Sequence, residues 1–278
     1  MPASNPRAVE KARTLACDVV ILDLEDAVLP EAKPTARAAA VAAVRAGGFG
    51  AREVVVRVNA LSTPWGADDL AEVARAGPDA VLVPKANSPA DVAAAHEALA
   101  AAPDRTRLWT MIETCAAILD LREIAACAGA TRLSTFAMGI NDLAKEMGAR
   151  MTAERTPFHA ALSLSVTAAH GAGLAILDGV HNEIEDFAAL EAVCRQGVDF
   201  GFDGKTLIHP SHLDICNRVF TPDAADVAWA RAVIAAFDAP ENAGKGALRV
   251  GGRLAERLHR DQAVGLVAVA DAIAAAAG

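Results

Sequence analysis

The sequence predicts an α/β protein of the (β/α)8 TIM barrel type, with its first strand cut short and a helical extension at the C-terminus. Three observations carry this. Short apolar runs rich in Val, Ile and Leu recur along the chain with Ala-rich amphipathic stretches between them, the alternation of βαβ units. Most runs end on a charged residue, as strands do when they deliver side chains to one mouth. No run is followed by G-x-G-x-x-G, which disfavours the runner-up, an open doubly wound sheet. The length of 278 residues, 53% of them hydrophobic, suits one large core.

The elements follow in order. Residues 7–15 read as a helix directly after Met1-Pro2-Ala3-Ser4-Asn5-Pro6, with no room for a full strand before it. The run 18–24 (D-V-V-I-L-D-L) is a nearly continuous apolar strand, buried on both faces. A helix over 31–45 carries Pro34 near its start, where the missing N–H is tolerated. Strands at 54–58, 80–84 and 108–112 alternate with helices at 67–76, 89–101 and 115–128. The stretch 135–147 (T-F-A-M-G-I-N-D-L-A-K-E-M) completes a strand over 133–138, breaks at Gly139, and resumes at helical spacing from Leu143. A helix over 157–170, a strand at 174–177, a helix over 183–194 and a last strand at 198–202 come next. That makes seven strands, with the N-terminal fragment as an eighth edge. Helices near 210–219, 222–237 and 254–277 close the chain. The division expected is a catalytic barrel over 1–220 and an extension or lid over 221–278, with the Gly-rich stretch 244–252 as hinge.

Composition excludes some functions. A net charge of −9 and a pI near 5.3 argue against a nucleic-acid partner, whose footprint is a basic face. They leave room for an anionic small molecule held by a local cluster of cations. The five cysteines show no C-x-x-C spacing, and with no secretion signal they point to reduced thiols in the cytoplasm. No apolar run is long enough to span a bilayer, so no membrane partner is expected. Tyr is absent, and there is no G-x-S-x-G elbow for a serine hydrolase.

The strand ends carry Glu25 and Asp26, Arg57, Lys85, Glu113, Asp142, Asp178 and Lys205. In a parallel barrel these converge, and as a set they form a mixed acid/base constellation. Glu113 and Asp142 lie on neighbouring strands. Two carboxylates with neutral Asn141 and no adjacent His suit Mg²⁺ rather than Zn²⁺. Asp142 and Asn141 also suit a plain helix N-cap. Arg57 is able to grip a carboxylate bidentately. Lys85 is either a second substrate cation or the partner of Glu25 or Asp26. Those two acids either act in catalysis or form a supporting salt bridge. The substrate-binding set is Arg57, Lys85, Gly139, Asn141 and His181, with Arg57, Glu25 and Asp26 as catalytic candidates. The turn 201–205, ending in Lys205, is either a phosphate or diphosphate site or a simple turn.

Jointly, D-V-V-I-L-D-L-E-D-A-V with E-A-K, V-V-V-R-V-N, V-L-V-P-K, M-I-E-T, M-G-I-N-D-L-A-K-E and G-F-D-G-K-T-L-I-H-P, in this order, cover most of residues 5–260. They resemble the citrate lyase beta-subunit-like branch of the HpcH/HpaI aldolase superfamily, and are most similar to its malyl-CoA lyases and malyl-CoA thioesterases. The resemblance implies a (β/α)8 barrel, usually trimeric or hexameric, that binds Mg²⁺ and acts on short acyl-CoA thioesters. It implies Glu113 and Asp142 as metal ligands and Arg57 as the holder of a carboxylate or oxo acid. Members usually begin with R-S-x-L-F, whereas this chain opens inside that strand. Members also carry V-D-G-[RK], whose Asp reaches a neighbouring subunit's site as acid/base, and here Gly251 stands at that position. The activity expected first is Mg²⁺-dependent C–C cleavage of a 3-hydroxyacyl-CoA such as malyl-CoA or citramalyl-CoA. A thioesterase on the same substrates is the second reading. A weakened paralogue that binds a CoA ester or serves as a structural subunit is the third.

Overall fold

The computed structural model describes residues 1–277 and divides into two compact units, Met1–Asn217 and a second from Arg218 onward. In the first unit, α1 (Pro6–Ala12) precedes β1 (Val19–Asp23). Then come α2 (Lys33–Ala46), β2 (Glu53–Arg57), α3 (Gly66–Ala76), β3 (Ala80–Val83) and α4 (Pro89–Ala98). After them run β4 (Arg107–Ile112), α5 (Cys115–Leu119), α6 (Leu121–Ala126), β5 (Leu133–Met138) and α7 (Ile140–Met147). The order continues with α8 (His159–Gly171), β6 (Ala175–Asp178), α9 (Phe187–Phe200) and β7 (Gly204–Lys205), and α10 (Leu213–Phe220) runs across the boundary at Asn217.

The seven strands form one parallel sheet in chain order, as successive right-handed βαβ units require. Outside β1, Pro2 makes a parallel bridge to Asp23, and the Asp23 N–H donates to the Met1 carbonyl at 2.8 Å. The short eighth edge expected before β1 is therefore a single bridge.

Alternation along the strands sets two faces. Val19, Ile21, Val55, Ala80, Leu82, Trp109, Met111, Ala137 and Leu177 pack together on the inner face. The intervening residues Val20, Leu22, Val54, Val56 and Leu108 are buried as well. Burying each large aliphatic side chain contributes roughly 1.5–3 kcal/mol, so both faces are strongly specified.

Three sequence expectations need correction. The run 198–202 is not a strand. Leu190, Val193, Cys194 and Gly197 form a buried helical stripe, so α9 continues to Phe200. It stops at Gly201, whose φ of 93° lets its N–H and that of Phe202 close on the Gly197 carbonyl. The strand follows at Gly204–Lys205, paired with Leu177 and Asp178. The helix expected over 115–128 is split at Asp120 into α5 and α6. The start expected at 183 moves to Phe187, where the Asp186 side chain accepts from the Ala189 N–H at 2.9 Å.

The second unit holds α11 (Ala224–Asp238), the antiparallel pair β8 (Ala247–Val250) and β9 (Arg253–Glu256), and α12 (Arg257–Ala277). Val233, Phe237, Val250, Ala255 and Ala263 form its core. The stretch 244–252, expected from sequence as a hinge, contains β8 of this hairpin. Gly251 and Gly252, with φ of 56° and 83°, make its two-residue turn. No helix among the described residues is long and apolar enough to cross a membrane.

Candidate functional site

The inner-face alternation carries straight into the site. Two residues beyond Ile21, Val55, Met111 and Ala137 stand Asp23, Arg57, Glu113 and Gly139. These four occupy the next layer toward the C-terminal ends of the strands, where parallel α/β folds place their chemistry.

Arg57 is the most constrained of them. Its Nε and Nη2 donate to the two Asp23 carboxylate oxygens at 2.6 and 2.7 Å, a parallel two-bond pairing. Its Nη1 lies 2.8 Å from Glu25 Oε2 and donates to Asp26 Oδ2 at 3.3 Å. The edge expected to grip a substrate is thus occupied by Asp23, and only the Nη1 side faces other groups. Burial would lower the guanidinium's affinity for its proton, but the three surrounding carboxylates raise it and keep Arg57 charged. Burial likewise favours neutral Asp23. The Arg57 bonds and the N–H groups of Glu25 and Ala27 outweigh that and hold its carboxyl below the usual range.

Lys85 joins the two halves of the site. Its Nζ donates to Glu25 Oε1 at 2.6 Å and stands 3.5 Å from Asp142 and 3.9 Å from Glu113. Its backbone N–H donates to Glu113 Oε1 at 2.9 Å. Lys85 makes both contacts from φ 54°, a left-handed conformation uncommon outside glycine. Of the two acids expected as partners for Lys85, it is Glu25 and not Asp26 that pairs with it.

Glu113 is 1% exposed. Burial pushes its carboxyl up to about 7; Lys85 opposes that shift, while Glu25 and Asp142 add to it. Glu25 is raised as well, by burial first and by Asp26, against the pull of Arg57 and Lys85. Its Oε2 is buried and ion-paired with Arg57, yet has no aligned hydrogen bond.

Gly139 lies against Glu113. A Cβ built there would stand 2.3 Å from Glu113 Oε2 and 2.5 Å from its Cβ. Only glycine leaves the Glu113 carboxylate its place. Asp142 sits in the first turn of α7 without capping it, so the N-cap alternative does not hold. Asn141 exchanges two hydrogen bonds with Asn182, at 3.1 and 2.8 Å, tying the Gly139–Asp142 turn to the loop after β6. His181 precedes Asn182, and its buried Nε2 has no partner. Burial, Lys205 and His212 favour its neutral form.

Lys205 and Asp178 stand apart from this group. The Lys205 ammonium is fully buried and donates to Asp178 Oδ2 at 2.9 Å, while Arg155 holds the other Asp178 oxygen at 2.6 Å. Lys205 also bonds the Gly179 carbonyl. Of the two readings of the turn 201–205, the structure supports the simple turn, because its cation is spent inside the fold.

Five carboxylates therefore face two cations: Asp23, Glu25, Asp26, Glu113 and Asp142 against Arg57 and Lys85. An excess of hard oxygen donors of this kind fits a divalent cation of the Mg²⁺ type. Among the described residues no group of three or more acids, His or Cys is arranged to enclose a metal. Two of these acids, Glu113 and Asp142, lie within 4 Å of the Lys85 ammonium on neighbouring strand ends. A cleft of about 100 Å³ lined by Leu61, Ser62, Lys85, Asn87 and Asp91 opens beside Lys85. A larger apolar groove, lined by Ile118, Leu121, Leu164 and Ala168 among others, lies on α5, α6 and α8 and carries no acid/base pair.

Asp23 is the functional residue that sequence reasoning missed. A carboxylate inside an apolar run, two residues from Ile21, was its signal. The strand-end rule pointed past it to Glu25 and Asp26. Asn182 was missed because only the folded loops bring it to Asn141.

The profile of the HpcH/HpaI aldolase/citrate lyase family matches residues 1–210. The chain is 45% identical over 275 residues to a (3S)-malyl-CoA thioesterase of Cereibacter sphaeroides, covering 99% of this chain and 94% of that one. It is 34% identical over 301 residues to an L-malyl-CoA/beta-methylmalyl-CoA lyase of the same organism, with the same coverage. The crystal structure of CitE from Mycobacterium tuberculosis in complex with magnesium, acetoacetate and coenzyme A superposes with a TM-score of 0.78. That likeness is at 30% identity and covers 98% of this chain and 96% of the other.

Proposed function

Because the chain belongs to the HpcH/HpaI aldolase/citrate lyase family, we propose that it hydrolyses a short 3-hydroxyacyl-CoA thioester of the malyl-CoA class, using Mg²⁺. The observation that carries this is the 45% identity, across nearly the whole chain, to proteins named as (3S)-malyl-CoA thioesterases, against 34% to the named lyases. C–C cleavage of the same ester, expected first from the sequence, is the second reading.

In this proposal Glu113 and Asp142 hold the metal. When bound there, Mg²⁺ supplies Lewis-acid polarisation of substrate oxygens. Arg57 presents Nη1 to the substrate carboxylate. Lys85 keeps Glu25 in place through its 2.6 Å bond. Glu25 Oε2, buried and ion-paired with Arg57 but without an aligned hydrogen bond, takes the proton of the attacking water. The water oxygen adds to the thioester carbonyl carbon, the C–S bond breaks, and Glu25 returns the proton to the leaving sulfur. The products are the free hydroxy acid and CoA. Gly139 keeps room for Glu113, and the Asn141–Asn182 pair steadies the loop that carries His181 beside the acyl group. Assembly into three or six copies and a cytoplasmic location belong to the same reading, and size-exclusion chromatography with light scattering checks the former. So does the division into a catalytic barrel over 1–220 and an extension over 221–278.

The test is incubation with (3S)-malyl-CoA and Mg²⁺. Free malate with CoA, and no glyoxylate, is the expected result. Glyoxylate with acetyl-CoA would transfer the protein to the lyase reading. Neither pair of products, with Mg²⁺ or with EDTA, would remove both and leave a CoA-ester-binding paralogue.

A further inference from the structure

The guanidinium of Arg57 meets three carboxylates of very different exposure. Asp23 is 6% exposed and takes the Nε–Nη2 edge through two short, parallel bonds. Glu25 is 10% exposed and is held from the other side by Lys85. Asp26 is 64% exposed, lies 3.3 Å from Nη1, and has Arg57 as its one cationic partner among the described ion pairs. Asp23 cannot leave without stranding a buried charge, which is strongly unfavourable. Glu25 cannot leave without releasing Lys85. Asp26 can swing into water at little cost, since an exposed ion pair contributes little. A carboxylate brought by a ligand is chemically equivalent to the group it would displace.

We propose that Asp26 is a placeholder: it occupies, in the free protein, the place on Arg57 Nη1 that the carboxylate of an acyl-CoA substrate takes. Asp23 is then the positioning residue that holds the opposite edge of Arg57 fixed while the two carboxylates exchange. This rests on the thioester-hydrolase reading for the identity of the ligand class, and it assigns Asp26 a role in affinity rather than in proton transfer. It also accounts for how one arginine serves both the fold and the substrate. One edge is committed to Asp23, and one nitrogen carries a replaceable partner.

The experiment is calorimetric titration at fixed Mg²⁺ with two CoA esters that differ in a terminal carboxylate, succinyl-CoA and butyryl-CoA. The wild type binds succinyl-CoA more tightly. Asp26→Asn and Asp26→Ala tighten succinyl-CoA about two- to fivefold, the scale of an exposed ion pair, and leave butyryl-CoA unchanged. Asp23→Asn abolishes the preference for the carboxylate while butyryl-CoA still binds, which a general loss of structure would not produce. If Asp23→Asn fails to fold, the two Asp26 variants decide alone. Unchanged succinyl-CoA affinity in both Asp26 variants, a preference retained in folded Asp23→Asn, or no preference in the wild type would each overturn the inference. Hydrolysis plays no part in the titration. A protein that shows this pattern without hydrolysing malyl-CoA keeps the inference and loses the proposed activity. One that hydrolyses malyl-CoA without the pattern does the reverse.

Discussion

Gly139→Ala is the sharpest test of the metal half of the site, because it displaces Glu113 without removing it. The new Cβ would lie 2.3 Å from Glu113 Oε2, 2.5 Å from Glu113 Cβ and 3.0 Å from Met111 Cε. The Oε2 contact could be relieved by rotating the side chain. The Cβ contact cannot, because Glu113 Cβ is fixed to the backbone just past β4. Either that strand end or the Gly139 turn must move. Overpacking of this kind costs roughly 1–3 kcal/mol of stability. A displaced metal ligand costs roughly 10–100-fold in metal affinity. Calorimetric Mg²⁺ titration reads the second quantity and urea denaturation the first. Gly129→Ala is the control, since a Cβ there meets nothing within 4 Å and the backbone is not left-handed. Mg²⁺ affinity within twofold of wild type in a folded Gly139→Ala variant would refute the assignment of Glu113 as a ligand.

Further outcomes are expected at Glu113, Lys205 and Gly251. Glu113 binds its proton with a pKa raised to about 7 in the folded protein, against 4.5 for an ordinary glutamate side chain. Its contribution to stability is therefore present below about pH 4.5 and lost as pH rises through 7, by about 3 kcal/mol at most. Urea denaturation in EDTA at pH 5 and pH 8 shows this loss, and Glu113→Gln removes it. The same proton competes with the metal, so Mg²⁺ affinity falls about tenfold per unit below pH 7. Lys205→Met leaves buried Asp178 with Arg155 as its one remaining cation and destabilises by about 3 kcal/mol in urea denaturation. Gly251→Asp creates an Asp-Gly pair in a left-handed hairpin turn that accepts it, with φ of 56° and a nearest contact at 3.9 Å. Its melting temperature stays within a few degrees of wild type. If the acid/base group is what the lyase reaction lacks, glyoxylate rises relative to malate in the product assay.

The strand-and-helix alternation was legible because its causes are local. Apolar β-branched runs of strand length and Ala-rich helical stripes each report on their own segment. The one strand misplaced, at 198–202, shows the limit. Val198 and Phe200 are apolar enough for either element, and only the buried stripe Leu190–Cys194–Gly197 and the left-handed Gly201 decide for helix. The residues Glu25, Arg57, Lys85, Glu113 and Asp142 were also legible, because strand ends in a parallel fold converge whatever the details of packing. Their pairings were not.

Sequence alone thus determined the fold class and the chemical types that meet at the mouth, since those follow from periodicity and from charge at element ends, while the family was read from the resemblance of its motifs. The tertiary structure alone decided which charge faces which. It placed Asp23 across Arg57, Lys85 between Glu25 and the Glu113–Asp142 pair, and Lys205 inside the fold on Asp178. The physical reason is distance along the chain. Arg57 and Asp23 are 34 residues apart and Lys85 and Glu25 are 60, so nothing in local sequence encodes the contact. The register of neighbouring strands does, and through it the energy of each ion pair.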